Sequence, residues 1–466
     1  MPEGSIADRF ATLIAGFDLA QCPPDTIGQA RLALLDTVGC MVAGSQSPLV
    51  DRLLAVLGPT HGPCLVPGRD GHLRLPVLDA ALVNGTAAHI LELDDGYTPG
   101  SAHPGCVVGP TALALGESEG ASLGRVLEAV IVGYEVMLSV SGAIHPESRR
   151  RGFHNTAIAG VFGAAAAAAR LLGLDPREAC HALGLAGSFA GGLLAFWNPG
   201  EQGATDVKKL HPGKAARDGI FCALSAAQGI HGPASVFEGK AGFLRAFADK
   251  GVIRGKLFDL ASPRIMDIYF KPWPCCRSLH GPIALALRLG HRVRDRIGGV
   301  GSIRVDTYSL AADRSEAEAG GDDAQFSIPM TVALALTRGE VAYPGLVAAH
   351  QDARLTNLAK RIEVHEDAEF TKAYPRSRPA RLTIWMEDGE TLSESLAYPP
   401  GEPQQPLPQS DLLQKFLGNC LPVIGDQAAN QVADFLTSAG LTLPISGLTP
   451  TLTATHQPSP PQGDGR

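Results

Sequence analysis

From Ala157 to Leu174 the chain carries little but alanine, glycine and aliphatic residues, broken once by Arg170. Side chains that small give an isolated helix almost nothing to bury, so such a segment is stable only where other helices close on it tightly. The stretch GFHNTAIAGVFGAAAAAARLLGL, from Gly152, therefore predicts an interior helix of a helical core. The charge at Arg170 argues against a membrane span. Asn155 or Thr156 can cap the helix start. His154 stands just before it, where the positive end of the helix dipole helps an imidazole stay neutral and free N–H groups suit an anion.

The surroundings agree with a helical core. Ile27, Ala30, Leu34, Val38 and Met41 cover one face of a helix, and Val77 to Glu92, Thr111 to Glu117 and Leu123 to Ser139 repeat the pattern. Strands are expected only later: Ser302 to Tyr308, Arg361 to His365, and a hairpin over Ala380 to Tyr398 turning at Asp388-Gly389. The fold expected is mainly α, a large all-helical domain formed by both ends of the chain plus a smaller α+β lid domain. The boundaries are 1–265, 266–399 and 400–450, with Pro399 to Pro408 as a linker and 451–466 a disordered tail.

Hydrophobic residues make up 45% of the chain and charged residues 18%, a low charge content that suggests apolar surface buried in an oligomer. A net charge of −8 leaves no basic surplus for nucleic acid. The nine cysteines are scattered, adjacent only at Cys275-Cys276, and indicate neither a disulfide framework nor a metal cluster. That pair reads as buried hydrophobes. The first residues lack a signal-peptide pattern, so the expected location is cytoplasmic, without membrane partners.

Three stretches carry chemistry. AHILELDDGYTPGSAHPG, from Ala88, brings Glu92, Asp94 and Asp95 to a helix end and closes on His103. Acidic groups beside an imidazole have the composition of a proton-transfer site. ATDVKKLHPGKAARDGIF, from Ala204, gathers Lys208, Lys209, His211, Lys214 and Arg217 within an acidic protein. His-Pro-Gly there reads as loop leading into helix, so the cations sit at a helix N-terminus and suit a polycarboxylate or phosphate. No Walker pattern accompanies them. KPWPCCRSLHGPIALALRLG, from Lys271, offers Arg277 and His280 at the start of another helix.

Together these stretches, with LLDTVGCMVAG, GYEV, FSIPMTVALALTRG and DLLQKF, run in order from Leu34 to Phe416 and resemble the MmgE/PrpD family. That family includes 2-methylcitrate dehydratases, cis-aconitate decarboxylases and iminodisuccinate epimerases. The resemblance implies a helical domain with an α+β lid, a homodimer, and a cleft that uses no metal or organic cofactor. Carried over by position, its active site falls on the acidic group of LELDD, His103, His154, Lys208 and His280. Glu92 stands where decarboxylase members carry aspartate, the loop to His103 is one residue longer, and their threonine is Gly96 here, with Thr98 as a substitute by loop shift.

The shared chemistry passes through a carbanion or enolate beside a carboxylate, which calls for a base, a proton donor and cations. The expected roles are Lys208 and Arg277 on substrate carboxylates, supported by Lys209 and His211. His103 and His154 form an acid/base pair, Asp94 or Asp95 tunes one of them, and His280 is a further acid or ligand. The leading expectation is a 2-methylcitrate dehydratase-like hydro-lyase acting on a small polycarboxylate. An epimerase or a cis-aconitate decarboxylase-like carboxy-lyase comes next, and a non-catalytic scaffold is the remote alternative.

Overall fold

The computed structural model describes residues 4–70, 73–196, 205–248 and 262–453. Most of the tail expected to be disordered, residues 454–466, lies outside them. The fold is mainly α, with two separate hydrophobic cores. The larger is mostly helical and takes its residues from Ala7 to Phe270 and again from Leu412 to Leu452. The smaller runs from Cys275 to Leu392.

The Ala/Gly segment is the helix Asn155–Leu172, buried along nearly its whole length. It packs against the helices Leu123–Ile144 and Val207–Ala227. It and Leu123–Ile144 are long and apolar enough to cross a membrane, and both are enclosed by the rest of the fold. The reason for the small residues is distance. Val77–Ile90 and Val207–Ala227 meet at Gly85 and Gly213, and a methyl group on Gly213 would come 2.1 Å from the Leu82 carbonyl oxygen. That approach brings the C-terminal turn of the first helix beside the N-terminal turn of the second.

In the smaller core a four-stranded sheet has the order Ile362–Glu366, Val300–Thr307, Ala380–Met386, Thr391–Leu396. The first pair is parallel and the others antiparallel. Val305 lies opposite both Val364 and Leu382, and the hairpin turns at Gly389, where φ is +90°. The helices His280–Val293 and Ile328–Arg338 pack on the sheet and on each other. The two parts are stitched where Gly96 and Tyr269 exchange backbone hydrogen bonds of 3.0 and 2.8 Å.

Four local expectations are corrected. His-Pro-Gly at 211–213 is not a loop: the helix begins at Val207 and Pro212 lies inside it, near enough to the start that few backbone bonds are lost. Neither Asn155 nor Thr156 caps the Ala/Gly helix. His154 holds the cap position, while Asn155 Nδ2 donates to the Gly100 carbonyl at 2.7 Å and Thr156 Oγ1 accepts from the His103 N–H at 3.1 Å. A two-residue strand pair, Cys64–Leu65 with Arg74–Leu75, interrupts the helical half. Finally, Pro399 to Pro408 is no passive linker, because Glu402 is buried and the carbonyls of Pro399 and Pro400 accept from Arg277.

Candidate active site

The Val77–Ile90 helix ends by turning the chain sharply at Glu92, a non-glycine residue with φ of +52°. The turn sends Leu91 and Leu93 toward a hollow behind the loop and Glu92 into a cavity of about 210 Å³. That cavity lies between the helical and α+β parts. Arg149, Lys208, Arg277, Arg314 and Arg378 line it together with His103 and His154. Leu194, Phe196, Leu310 and Phe326 give it apolar walls, and among the described residues Glu92 is the one carboxylate on its surface.

Glu92 is the centre of a buried charge cluster. Its carboxylate accepts from Lys208 in a very short contact and from Lys209 at 2.7 Å. Lys271 donates to the Glu92 backbone carbonyl at 2.8 Å and stands 3.7 Å from both the Glu92 and Asp94 carboxylates. Burial alone would raise both acids, but Lys208, Lys209, His89 and Lys271 hold Glu92 well below the usual carboxylate range. The hydrogen bond from His89 and the Lys271 ammonium do the same for Asp94. Burial pushes Lys208 down to about 8, with Glu92 opposing it. Lys208 is thus a cation at neutral pH whose proton is easily lost.

The imidazoles lie on the other side of the cluster. His103 Nδ1 is 2.7 Å from the Asp95 carbonyl oxygen, so it carries the proton and leaves Nε2 unprotonated. Burial lowers His103 to about 3, against the pull of Asp94. His154 Nδ1 is 2.9 Å from His211 Nδ1, with Phe196 packed edge-on against both rings. Burial and then Lys208 keep His154 well below its ordinary value, and burial takes His211 to about 4. All three are neutral at pH 7, and across the His154–His211 contact one Nδ1 carries the proton that the other accepts.

Most of the remaining expected residues lie one layer out. Asp95 accepts from the Gly105 N–H at 2.8 Å and the Tyr134 hydroxyl at 2.7 Å, and burial lifts it to about 8. His280 is fully buried, 3.1 Å from Arg277 and 3.3 Å from the Cys275 carbonyl oxygen, and does not reach the cavity. Arg277 does reach it, but its guanidinium is held by Glu402 at 3.0 and 3.1 Å and lies over the Tyr269 ring. Thr98 sits 3.3 Å from Glu402 and from Arg378, at the seam between the two parts. The buried-hydrophobe reading of the cysteine pair holds for Cys275 only. Cys276 lines the cavity, and although burial raises its thiol, Arg314 brings it below its ordinary value.

Several side chains of the site were not singled out in the sequence. Lys271 opens the KPWPCC stretch and His89 sits inside the run before LELDD, both in motifs whose other members drew attention. Arg149 belongs to the Arg149-Arg150-Arg151 run just before His154, a signal that could have been read. Arg378 lies among Arg376 and Arg381 in a stretch that was not read as a site, and Glu402, isolated in sequence, gave no signal. His89, Asp94 and Cys106 bring three ligand-type atoms within 4.8 Å. His89 Nδ1 and Asp94 Oδ2 already bond to each other, and the ammonium groups of Lys208 and Lys271 stand beside them, a poor setting for a dication.

This arrangement can be set beside known proteins. Residues 8–255 match the MmgE/PrpD N-terminal domain and residues 273–437 the MmgE/PrpD C-terminal domain. The chain belongs to the MmgE/PrpD family. It is 27% identical to the cis-aconitate decarboxylase-like protein oryM of Aspergillus oryzae, over 96% of this chain and 97% of that one. It is 25% identical to the cis-aconitate decarboxylase of Homo sapiens, over 89% and 88% of the two chains. The Aspergillus terreus cis-aconitate decarboxylase is also 25% identical, over 89% of each. As a member of the family, the protein is an enzyme of the lyase class.

Proposed function

We propose that this MmgE/PrpD protein is a cofactor-independent lyase that removes CO2 from a small unsaturated polycarboxylate of the cis-aconitate type. One observation carries the reading: cationic side chains crowd a cavity that holds, among the described residues, a single carboxylate and neutral imidazoles. Such a wall attracts a polyanion and stabilises the further negative charge that builds up during reaction. Breaking the C–C bond to the departing carboxylate leaves an electron pair on the neighbouring carbon, delocalised into the carboxylates that remain. Lys208 and the arginines spread that charge. Lys208, whose proton is labile near neutrality, supplies the proton that completes the product, and water restores it. Phe196 and Phe326 give the departing carboxylate the apolar surroundings that favour its loss as CO2. The curated relatives support decarboxylation as the leading chemistry.

Dehydration of a 2-methylcitrate-like hydroxy acid is the second reading, and His103 favours it. A neutral imidazole with a free Nε2 is a base for a carbon-bound proton, which decarboxylation does not need. An epimerase would use His103 and His154 from opposite faces. Incubating the protein with cis-aconitate, 2-methylcitrate and aminodicarboxylates in deuterium oxide, followed by NMR, separates the three: CO2 release, a new alkene, or label returned to unchanged substrate. On the substrate so identified, Lys208→Ala is expected to lose on the order of a hundredfold or more in turnover. Unchanged turnover would remove Lys208 from the mechanism. The reading also includes a cytoplasmic homodimer, in keeping with the low charge content, and sedimentation at micromolar concentration tests the assembly.

A further inference from the structure

Behind Lys208 stands a residue that does not touch the cavity. His89 lies in the last turn of the Val77–Ile90 helix, fully buried, with Nδ1 2.8 Å from Asp94 Oδ2 and Nε2 3.2 Å from Lys208 Nζ. An ionised carboxylate can only accept, so the proton of the neutral ring is on Nδ1 and Nε2 presents a lone pair. The donor facing that lone pair is the Lys208 ammonium.

We propose that His89 is the positioning residue for Lys208. It takes one ammonium hydrogen at Nε2, Glu92 takes a second, and the third is left to point into the cavity. The direction of the chain follows from Asp94, which fixes the tautomer of His89 and so turns its acceptor toward the lysine. An acceptor of this kind differs from a second carboxylate. It holds the ammonium in place without cancelling its charge, so the positive field on the substrate is kept. The charged and titratable groups facing the His89–Lys208 pair are Glu92 and Asp94 from the loop and Lys271 from the α+β side. Lys209 and His211 face it from the helix that carries Lys208, with His103 and His154 from their own segments. The His89 ring lies 5.1 Å from that of His103 and 6.4 Å from that of His154. Lys209 and Lys271 both repel the charge on Lys208, so losing one acceptor makes its proton easier to remove.

The proposal rests on the role given to Lys208 above, and two substitutions test it separately. In His89→Asn the shorter amide still reaches Asp94 but not the lysine. In His89→Gln the amide oxygen reaches the place of Nε2. With a charged hydrogen bond lost, His89→Asn is expected to lower kcat by about ten- to a hundredfold with KM little changed. The alkaline limb of its kcat/KM profile should move to lower pH. His89→Gln should recover most of the rate and leave the limb in place. Equal rates in the two variants with an unmoved limb, or a rise in KM alone, would overturn the positioning role. Lys208→Ala is measured alongside. If it keeps full turnover, the reading of Lys208 has failed; if it is inactive while both His89 variants keep the wild-type profile, only the positioning role has failed. Should a His89 variant not fold, 15N NMR of the histidines serves instead. His89 is expected in the Nδ1–H form, with an Nε2 resonance that shifts in Lys208→Met, and an unmoved resonance would refute the contact.

Discussion

Replacing Lys271 with methionine tests the charge cluster at its most buried point. The ammonium is fully enclosed, donates to the Glu92 carbonyl at 2.8 Å, and lies 3.7 Å from two carboxylates. At an effective dielectric constant near 20, each of those charge pairs contributes about 4 kcal/mol of attraction before desolvation is counted. Methionine has a similar volume and no charge, so it spares the desolvation of the ammonium but strands Asp94 and weakens the hold on Glu92. Breaking a buried ion pair from one side costs about 3–5 kcal/mol, and that is the destabilisation expected for Lys271→Met at pH 7. The measurement is guanidinium unfolding followed by far-UV circular dichroism, with wild type and variant run together. Glu92 and Asp94 have folded-state pKa values below their unfolded ones, so their stabilisation is full above about pH 4 and lost as pH falls through the folded values. Without Lys271 those values rise and protonation relieves the stranded charge. The gap between wild type and variant should therefore narrow from pH 7 toward pH 4. Glu92→Gln should cost about 0.5–3 kcal/mol less in the Lys271→Met background than in the wild type, because the two residues are directly coupled. A loss below about 1 kcal/mol at pH 7, or a gap that does not change with pH, would refute the account.

The other expectations follow from the same geometry. The kcat/KM profile should be flat through pH 5–7 and fall above about 8 as Lys208 loses its proton; a limb near pH 6.5 would show that His103 or His154 titrates like an ordinary imidazole. Arg149 is half-buried on the cavity wall and has no ion-pair partner among the described residues, so Arg149→Gln should raise KM for a polycarboxylate about ten- to a hundredfold and alter kcat little. Steady-state kinetics on the substrate found by NMR decides that point. Gly213→Ala should cost roughly 1–3 kcal/mol or more in unfolding measurements, because its methyl group meets the Leu82 carbonyl; it should also reduce activity by parting the His89 and Lys208 helices.

Much of the site was legible because its residues cluster in sequence. Glu92, Asp94, Asp95 and His103 share one loop, Lys208 and Lys209 are adjacent, and the helical pattern of Val77 to Glu92 placed the helix that leads into the loop. What could not be read was which of two adjacent groups faces the cavity. Lys208 and Lys209 are neighbours in sequence, yet Lys208 lines the cavity and Lys209 only steadies Glu92. Pro212 read as a loop because proline usually ends a helix; at the sixth position it can be accommodated inside one. His280, like His103, is a histidine at a loop–helix junction, but it turned inward against the Cys275 carbonyl and Arg277.

By itself, then, the order of small, apolar and charged residues determined a helical core and a later sheet, because 3.6- and 2-residue periods are local properties of the chain. It also set the presence of an acid–histidine loop and a lysine pair. Only the tertiary structure decided that Glu92 would pair with Lys208 and Lys209, that Lys271 and His89 would belong to the site, and that Glu402 would occupy Arg277. These pairings join residues more than a hundred positions apart. Their energies depend on distances of a few ångströms inside a buried region, and no local pattern encodes such distances.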